Sequence, residues 1–143
     1  MADPITHSAS GLDLSPRFVS SSAIVGSPAT NAETVVCQLA ALPGQSGTQL
    51  GVFLSGVVSF TVGTSGASVR LRIRQGVAAG AGTVVADTGA LTGGVAAAAL
   101  MSQDIQGFDT APAAGQTYCL TLQVGSGAAV STVSQTNLIA LNI

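Results

Sequence analysis

Three arginines, Arg70, Arg72 and Arg74, occupy alternate positions of one short segment, and this row is the strongest candidate for chemistry in the sequence. Side chains two residues apart in a β-strand point to the same face, about 7 Å from each other. Like charges at this spacing repel each other unless anions compensate them. The anions could be carboxylates on an adjacent strand of the same chain, carboxylates across a subunit interface, or an acidic external partner.

For the interface arrangement, the candidate anions are Asp87, Asp104 and Asp109. Two of the three arrangements involve a partner, so we count the three arginines among the predicted partner-binding residues. The first arrangement would instead make the row an ordinary solvated strand face.

No group of residues has the composition of a catalytic or metal site. His7 is the only histidine, and its place near the start of the chain suits it poorly as the general base of a serine nucleophile. The acidic residues do not follow the Asp-x-Asp-x-Asp spacing of a calcium loop, and the cysteines lack the spacing of zinc ligands. We therefore predict that the protein is not an enzyme and that it uses no metal and no cofactor.

Charge is scarce along the whole chain of 143 residues. Only 7% of the residues are charged, against about 25% in a typical soluble domain, and the net charge is −2. With four arginines and no lysine, the release of counterions that drives binding to nucleic acid is almost absent, so we expect no nucleic-acid partner. So few ionised groups leave most of the surface of a freely diffusing monomer without charge. Either hydroxyl and amide groups keep the protein in solution, or other subunits bury much of its surface, and we favour the second.

The chain shows no targeting segment. No apolar run approaches the roughly 18 residues of a membrane-spanning helix, and the start at Met1 lacks the pattern of an export signal. We expect synthesis in a reducing cytoplasm and no membrane partner. Cys37 and Cys119 are too few for a disulfide framework, so we expect two free thiols, with a single bridge between them as the alternative.

Helical periodicity is nearly absent, and short apolar segments alternate with turn residues such as Pro43-Gly44. In one segment Val69, Leu71 and Ile73 alternate with the arginines, so one face should enter the core. Eight segments at regular spacing predict an all-β, antiparallel sandwich or barrel. The predicted strands cover about residues 17–25, 33–42, 50–64, 68–75, 83–88, 97–108, 117–124 and 130–143.

Residues 1–14 carry Pro4, Ser8 and Gly11 without an apolar rhythm. We predict that they form an extended N-terminal arm, ordered only by a neighbour, and that residues 15–143 form one β-sandwich domain. The arm is a second predicted source of partner contacts. Its candidate partner-binding residues are Asp3, Ile5, His7, Leu12 and Leu14.

A Pro-x-x-Gly-x-x-Tyr entry into a late strand, formed by Pro112, Gly115 and Tyr118, precedes a closing apolar strand that reaches Ile143. The segment that starts at Phe60 is a strand, turn and strand rich in Thr and Gly. Over about residues 15–143 this pattern resembles jelly-roll domains of the tumour-necrosis-factor and C1q type, and also small decoration and head-fibre proteins of tailed bacteriophages. The resemblance implies an eight-stranded jelly-roll sandwich that trimerises, with its arm or base gripping a capsid lattice. No functional residue is carried over.

Our hypothesis is a capsid decoration protein that forms a homotrimer, binds the major capsid protein lattice and lies on the exterior of the virion after synthesis in the host cytoplasm. The first alternative is a host-recognition module of a tail or fibre tip, which would use loops near Gly63–Gly66 and Gly89–Gly94. The scarcity of aromatic residues argues against that alternative. A jelly-roll coat protein ranks lower, because coats that package nucleic acid often carry a basic arm and this arm has no basic residue except His7.

Overall fold

The computed structural model of the chain describes residues 18–23, 32–40, 51–63, 68–89, 91–92, 100–125 and 130–143. Within these ranges all regular secondary structure is β, which confirms the predicted class. The nine strands are β1 (Phe18–Ala23), β2 (Glu33–Leu39), β3 (Val52–Val62), β4 (Ser68–Gln75), β5 (Val84–Asp87), β6 (Leu91–Thr92), β7 (Leu100–Asp109), β8 (Tyr118–Val124) and β9 (Val130–Asn142).

Seven of the eight predicted segments contain an observed strand, β7 extends one residue beyond its predicted segment 97–108, and β4 has the predicted bounds. The structure adds β6, whose two residues are too few to show an alternation in the sequence. The arm predicted over residues 1–14, with its candidate contact residues, lies outside the described residues.

The strands form two antiparallel sheets. Sheet A has the order β1-β9-β3-β7, and sheet B has the order β2-β8-β4-β5, with β6 also paired to β4. The pairing is nested: β1 pairs with β9, β2 with β8, β3 with β7 and β4 with β5. The chain therefore runs as one long antiparallel hairpin that is wrapped into two layers.

The core lies between the two sheets and is apolar. The largest side chains in it are those of Tyr118 and Phe60, each at most 1% exposed, and the predicted inward row of β4 lies there too. Burying one such side chain contributes about 1.5–3 kcal/mol, so the two inward faces account for much of the stability of the fold.

One buried polar group ties the sheets together at the end of β7. Asp109 Oδ2 accepts a hydrogen bond of 2.9 Å from the Tyr118 hydroxyl and one of 2.7 Å from Gln75 Nε2. Asp109 Oδ1 accepts a bond of 3.1 Å from the Ala111 backbone N–H. Burial, together with the neighbouring carboxylate, raises the pKa of Tyr118, so the hydroxyl stays protonated and acts as a donor. Because Asp109 belongs to sheet A and its two side-chain partners belong to sheet B, this group fixes the position of one sheet on the other.

Candidate functional site

The two outer surfaces of the sandwich differ in chemistry, and we call them face A, on sheet A, and face B, on sheet B. Face B carries the arginine row. Because β4 alternates, its apolar residues point into the core and its arginines point outward. Five charged side chains form an ion-pair network on face B: Glu33 from β2, Arg70, Arg72 and Arg74 from β4, and Asp87 from β5.

Glu33 compensates two arginines at one end of the network. Its Oε1 accepts a hydrogen bond of 2.6 Å from Arg74 Nε and its Oε2 accepts one of 2.9 Å from Arg74 Nη2, which makes the pair bidentate. Oε2 also accepts a bond of 2.9 Å from Arg72 Nη1, and Oε1 accepts one of 2.6 Å from the Thr121 hydroxyl. The side chains of Glu33, Arg72 and Arg74 are only 11% or 12% exposed, so water screens these pairs weakly.

Asp87 compensates the other end. Its Oδ1 accepts a hydrogen bond of 2.7 Å from Arg70 Nε and its Oδ2 pairs with Arg70 Nη2. Oδ2 also accepts a bond of 3.1 Å from Arg72 Nε, and the Gly89 N–H donates to Oδ1 over 2.8 Å. Arg72 therefore touches both carboxylates and joins the two ends into one network.

The arginines keep both carboxylates ionised. Burial alone would raise the pKa of Glu33, but hydrogen bonds from Arg74 and Thr121 outweigh it and hold that pKa below its usual value. The hydrogen bond from Arg70 is the main reason why the pKa of Asp87 is lowered strongly, and burial opposes this effect. At neutral pH the network thus has three cations and two anions, which leaves a formal charge of +1.

The carboxylates that pair with the arginine row in the described residues lie within the chain. Asp87 lies on the strand adjacent to β4 and pairs within the chain, as the first arrangement predicts. Asp109 is buried against Tyr118, and Asp104 lies on face A, on the other side of the sandwich, so neither compensates the row within the chain. Sequence reasoning missed Glu33, because β8 separates its strand from β4. A contact between the arginines and a partner stays a prediction.

The network covers the outer side of β8. Cys119 and Thr121 point toward face B, yet both are 0% exposed, so both sides of this central strand are buried. Burial, aided by the charge of Glu33, raises the pKa of Cys119 to about 11. Cys37 lies in the core on the opposite side of sheet B, and the two cysteines are not joined by a disulfide bond. A bridge between them would have to cross the sheet.

Face A is poor in charge. Its described outward side chains come from β7, β3 and β9, and among them Asp104 is the one charged group. Asp104 lies on β7, the edge strand of the sheet. Val57, directly opposite Asp104 on β3, is 38% exposed.

An apolar row crosses face A. Phe108 on β7 lies opposite Phe53 on β3, which lies opposite Leu141 on β9. Phe108 is 44% exposed, although large apolar side chains are usually covered. Ile139 lies one pair further along β9 and continues the apolar surface. Chemically, face A can bury apolar area against a partner but cannot attract a charged ligand.

In the part of the chain that the structure describes, no group of three or more His, Cys, Asp and Glu side chains could hold a metal ion. The same residues include no helix that is long and apolar enough to cross a membrane.

No protein-family model matches the chain, and no curated protein matches it in sequence. Its fold is similar to part of a chain in the structure of infectious bursal disease virus Gx strain, with a TM-score of 0.56 and 14% identity. The match covers 90% of this chain but 32% of that one, so this chain spans about a third of its neighbour's length. A chain of the disulfide-linked pili of Bacillus endospore appendages has a TM-score of 0.41 and 14% identity, over 88% of both chains. The first likeness supports the β-sandwich fold, and the second is too distant to add to it.

Proposed function

We propose that the chain is a structural protein of a virion, and more narrowly a decoration protein that trimerises and binds the coat lattice on the outside of a phage head. This proposal rests on the observation that charged side chains of the described residues pair with other groups of the same chain. Five charged side chains pair with one another on face B, and Asp109 is buried between the sheets. These groups stabilise the body of the protein, whereas an enzyme directs ionisable groups into a cleft where they meet a substrate.

The topology supports a fold that virion proteins use. We propose that the sandwich is a jelly roll, an architecture of eight strands in two sheets that occurs in viral capsid proteins. If β5 and β6 are two parts of one strand position beside β4, the nested pairing has eight positions. The likeness to part of an infectious bursal disease virus chain is consistent with this fold, and its 14% identity extends the argument no further.

The proposed mechanism is mechanical. A protein that binds neighbouring coat subunits only when they are assembled stabilises the assembly by mass action. Residues 1–14 and the arginine row are the proposed contacts with the lattice. Among the arginines, Arg70 is the best placed for such a contact, because its side chain is 38% exposed.

The test is binding to particles of the phage whose genome encodes the chain. We expect the purified chain to sediment with the heads and to raise the temperature at which they release DNA. A variant that lacks residues 1–14 should keep the circular dichroism spectrum of the β-sandwich and lose binding to the heads. Unchanged binding by that variant would remove the arm from the proposal, and failure of the full chain to bind or to occur in purified particles would refute the proposed function.

A further inference from the structure

We infer that face A is the surface through which copies of this chain pack against each other, with the apolar row of one copy against that of the next. The inference rests on the proposed function, because it identifies the contact that would hold the proposed oligomer together. The partner that binds face A would be a second copy of the chain.

The charge distribution favours a copy over another kind of partner. Face B keeps its charges paired and has a formal charge of +1, so burying it against the same face of a second copy would remove the network from water without adding anions. Among its described side chains, face A carries one charge, that of Asp104 on the edge strand, so most of this surface can be buried at little electrostatic cost. Among its described side chains, face A offers only Asp104 to a positively charged protein. A second face A is equally poor in charge and is always present at the same concentration.

The size of face A is sufficient for a stable contact. Strands β3 and β7 have 11 and 10 residues, and the sheet has four strands. At about 4.8 Å between strands and about 3.3 Å per residue, the flat footprint is roughly 600 Å². The accessible area of a surface with side chains exceeds its flat footprint, and a standard interface buries about 800 Å² on each partner. One face A is therefore about as large as one side of such an interface.

The apolar row gives this contact an aromatic cluster. Phe53, Phe108 and Leu141 each lie one residue from an end of their strands, so the row crosses one end of face A. Aromatic residues are enriched in the buried cores of protein interfaces. In a two-fold contact the row of one copy would meet the same row of its partner, and around a three-fold axis the rows of the three copies would meet at the axis.

A matched pair of valine substitutions tests the inference. Val57→Lys places a cation in the middle of face A, directly opposite Asp104, so the lysine has an anion beside it and the isolated subunit should stay folded. Val77→Lys makes the same change at another exposed valine, 49% exposed in the turn after β4 and away from face A. Masses are measured by light scattering over a dilution series, and folding is checked by thermal denaturation.

We expect the wild-type chain and Val77→Lys to have the mass of an oligomer, and Val57→Lys to need about 100-fold higher concentration for the same association. A second variant, Phe108→Gln, removes the exposed end of the row and should also weaken association. A wild-type chain that is monomeric at high concentration would overturn the inference, as would folded Val57→Lys and Phe108→Gln variants that associate like the wild type.

This experiment contains no phage particles, so its outcome is separate from the test of the proposed function. A chain that binds heads but does not associate through face A would refute the inference and leave the proposed function. A chain that associates through face A but does not bind heads would refute the proposed function and leave the role of face A in self-association.

Discussion

The carboxylate of Glu33 on β2 accepts two hydrogen bonds from the guanidinium of Arg74 on β4, across the intervening strand β8. Strand β2 forms the edge of sheet B, and this pair ties it to a strand that it does not touch through backbone hydrogen bonds. The same carboxylate also accepts hydrogen bonds from Arg72 and Thr121. Glu33 is thus the anion that pairs with two of the three arginines on face B.

Replacement of Glu33 by glutamine is expected to destabilise the fold. The amide keeps nearly the same shape but removes the negative charge, so Arg72 and Arg74 lose a charge-assisted partner that is only 11% exposed. We expect the free energy of unfolding to fall by about 2 kcal/mol in urea denaturation. Asp104→Asn is the control, because Asp104 is exposed on face A and its loss should change stability by less than about 0.5 kcal/mol. Equal effects of the two substitutions would contradict this role of Glu33.

The network also predicts how stability depends on pH. The folded-state pKa values of Glu33 and Asp87 lie below their unfolded values of about 4.3 and 3.9. The unfolded chain therefore binds more protons in this range, and the stability that the two groups contribute is present above those unfolded values and is lost as the pH falls through the folded values. We expect the melting temperature to change little between pH 7 and 5 and to fall below about pH 4.

The Glu33→Gln variant supplies the check on that pH dependence. Because it lacks one of the two carboxylates, its melting temperature should fall less steeply in acid than that of the wild type. An unchanged slope would mean that other groups cause the acid destabilisation.

The class of the fold could be predicted from the sequence because the relevant signals are local. Alternation in a strand such as 68–75 needs no knowledge of its neighbours, and neither does the entry of Tyr118 into the core. The pairing order could not be predicted in this way, because it depends on which of many apolar strands meet. β1 and β9, for example, pair although more than one hundred residues separate them.

The same limit applies to the candidate site. Asp87 could be named as a partner of the arginine row, but Glu33 could not, because its role requires β2 and β4 to flank β8. Alternation in β8 predicts one buried side and one solvent-exposed side. The ion-pair network of face B nevertheless buries Thr121, which is on the outer side of this strand. The apolar row of face A is likewise visible only when the register joins Phe53, Phe108 and Leu141 from three strands.

Tyr118→Phe is expected to weaken the connection between the sheets. The ring stays in the core, but Asp109 Oδ2 loses the hydroxyl donor at 2.9 Å in a buried setting. We expect a loss of about 2 kcal/mol in the free energy of unfolding. A double-mutant cycle with Asp109→Ala isolates the contact, since Tyr118→Phe should cost much less when the carboxylate is already absent. An equal cost in both backgrounds would show that the hydrogen bond contributes nothing.

The thiols of Cys37 and Cys119 are expected to be unreactive in the folded protein. For Cys119, we expect the arginine row of face B to be the cause. A thiol reagent needs access and a thiolate, whereas Cys119 is 0% exposed with a pKa raised to about 11, and Cys37 is 2% exposed in the core. At pH 8 we expect neither to react within minutes and both to react in denaturant. The Arg74→Ala substitution should make Cys119 reactive before Cys37.

Arg74 lies directly opposite Cys119 and covers it from face B, whereas Cys37 lies on the core side of the same sheet. Mass-spectrometric mapping of the labelled Arg74→Ala variant should therefore find modification at Cys119 well before Cys37. Labelling of both cysteines at one common rate would instead indicate global unfolding. Protection of Cys119 in this folded variant would show that the arginine is not what covers the thiol.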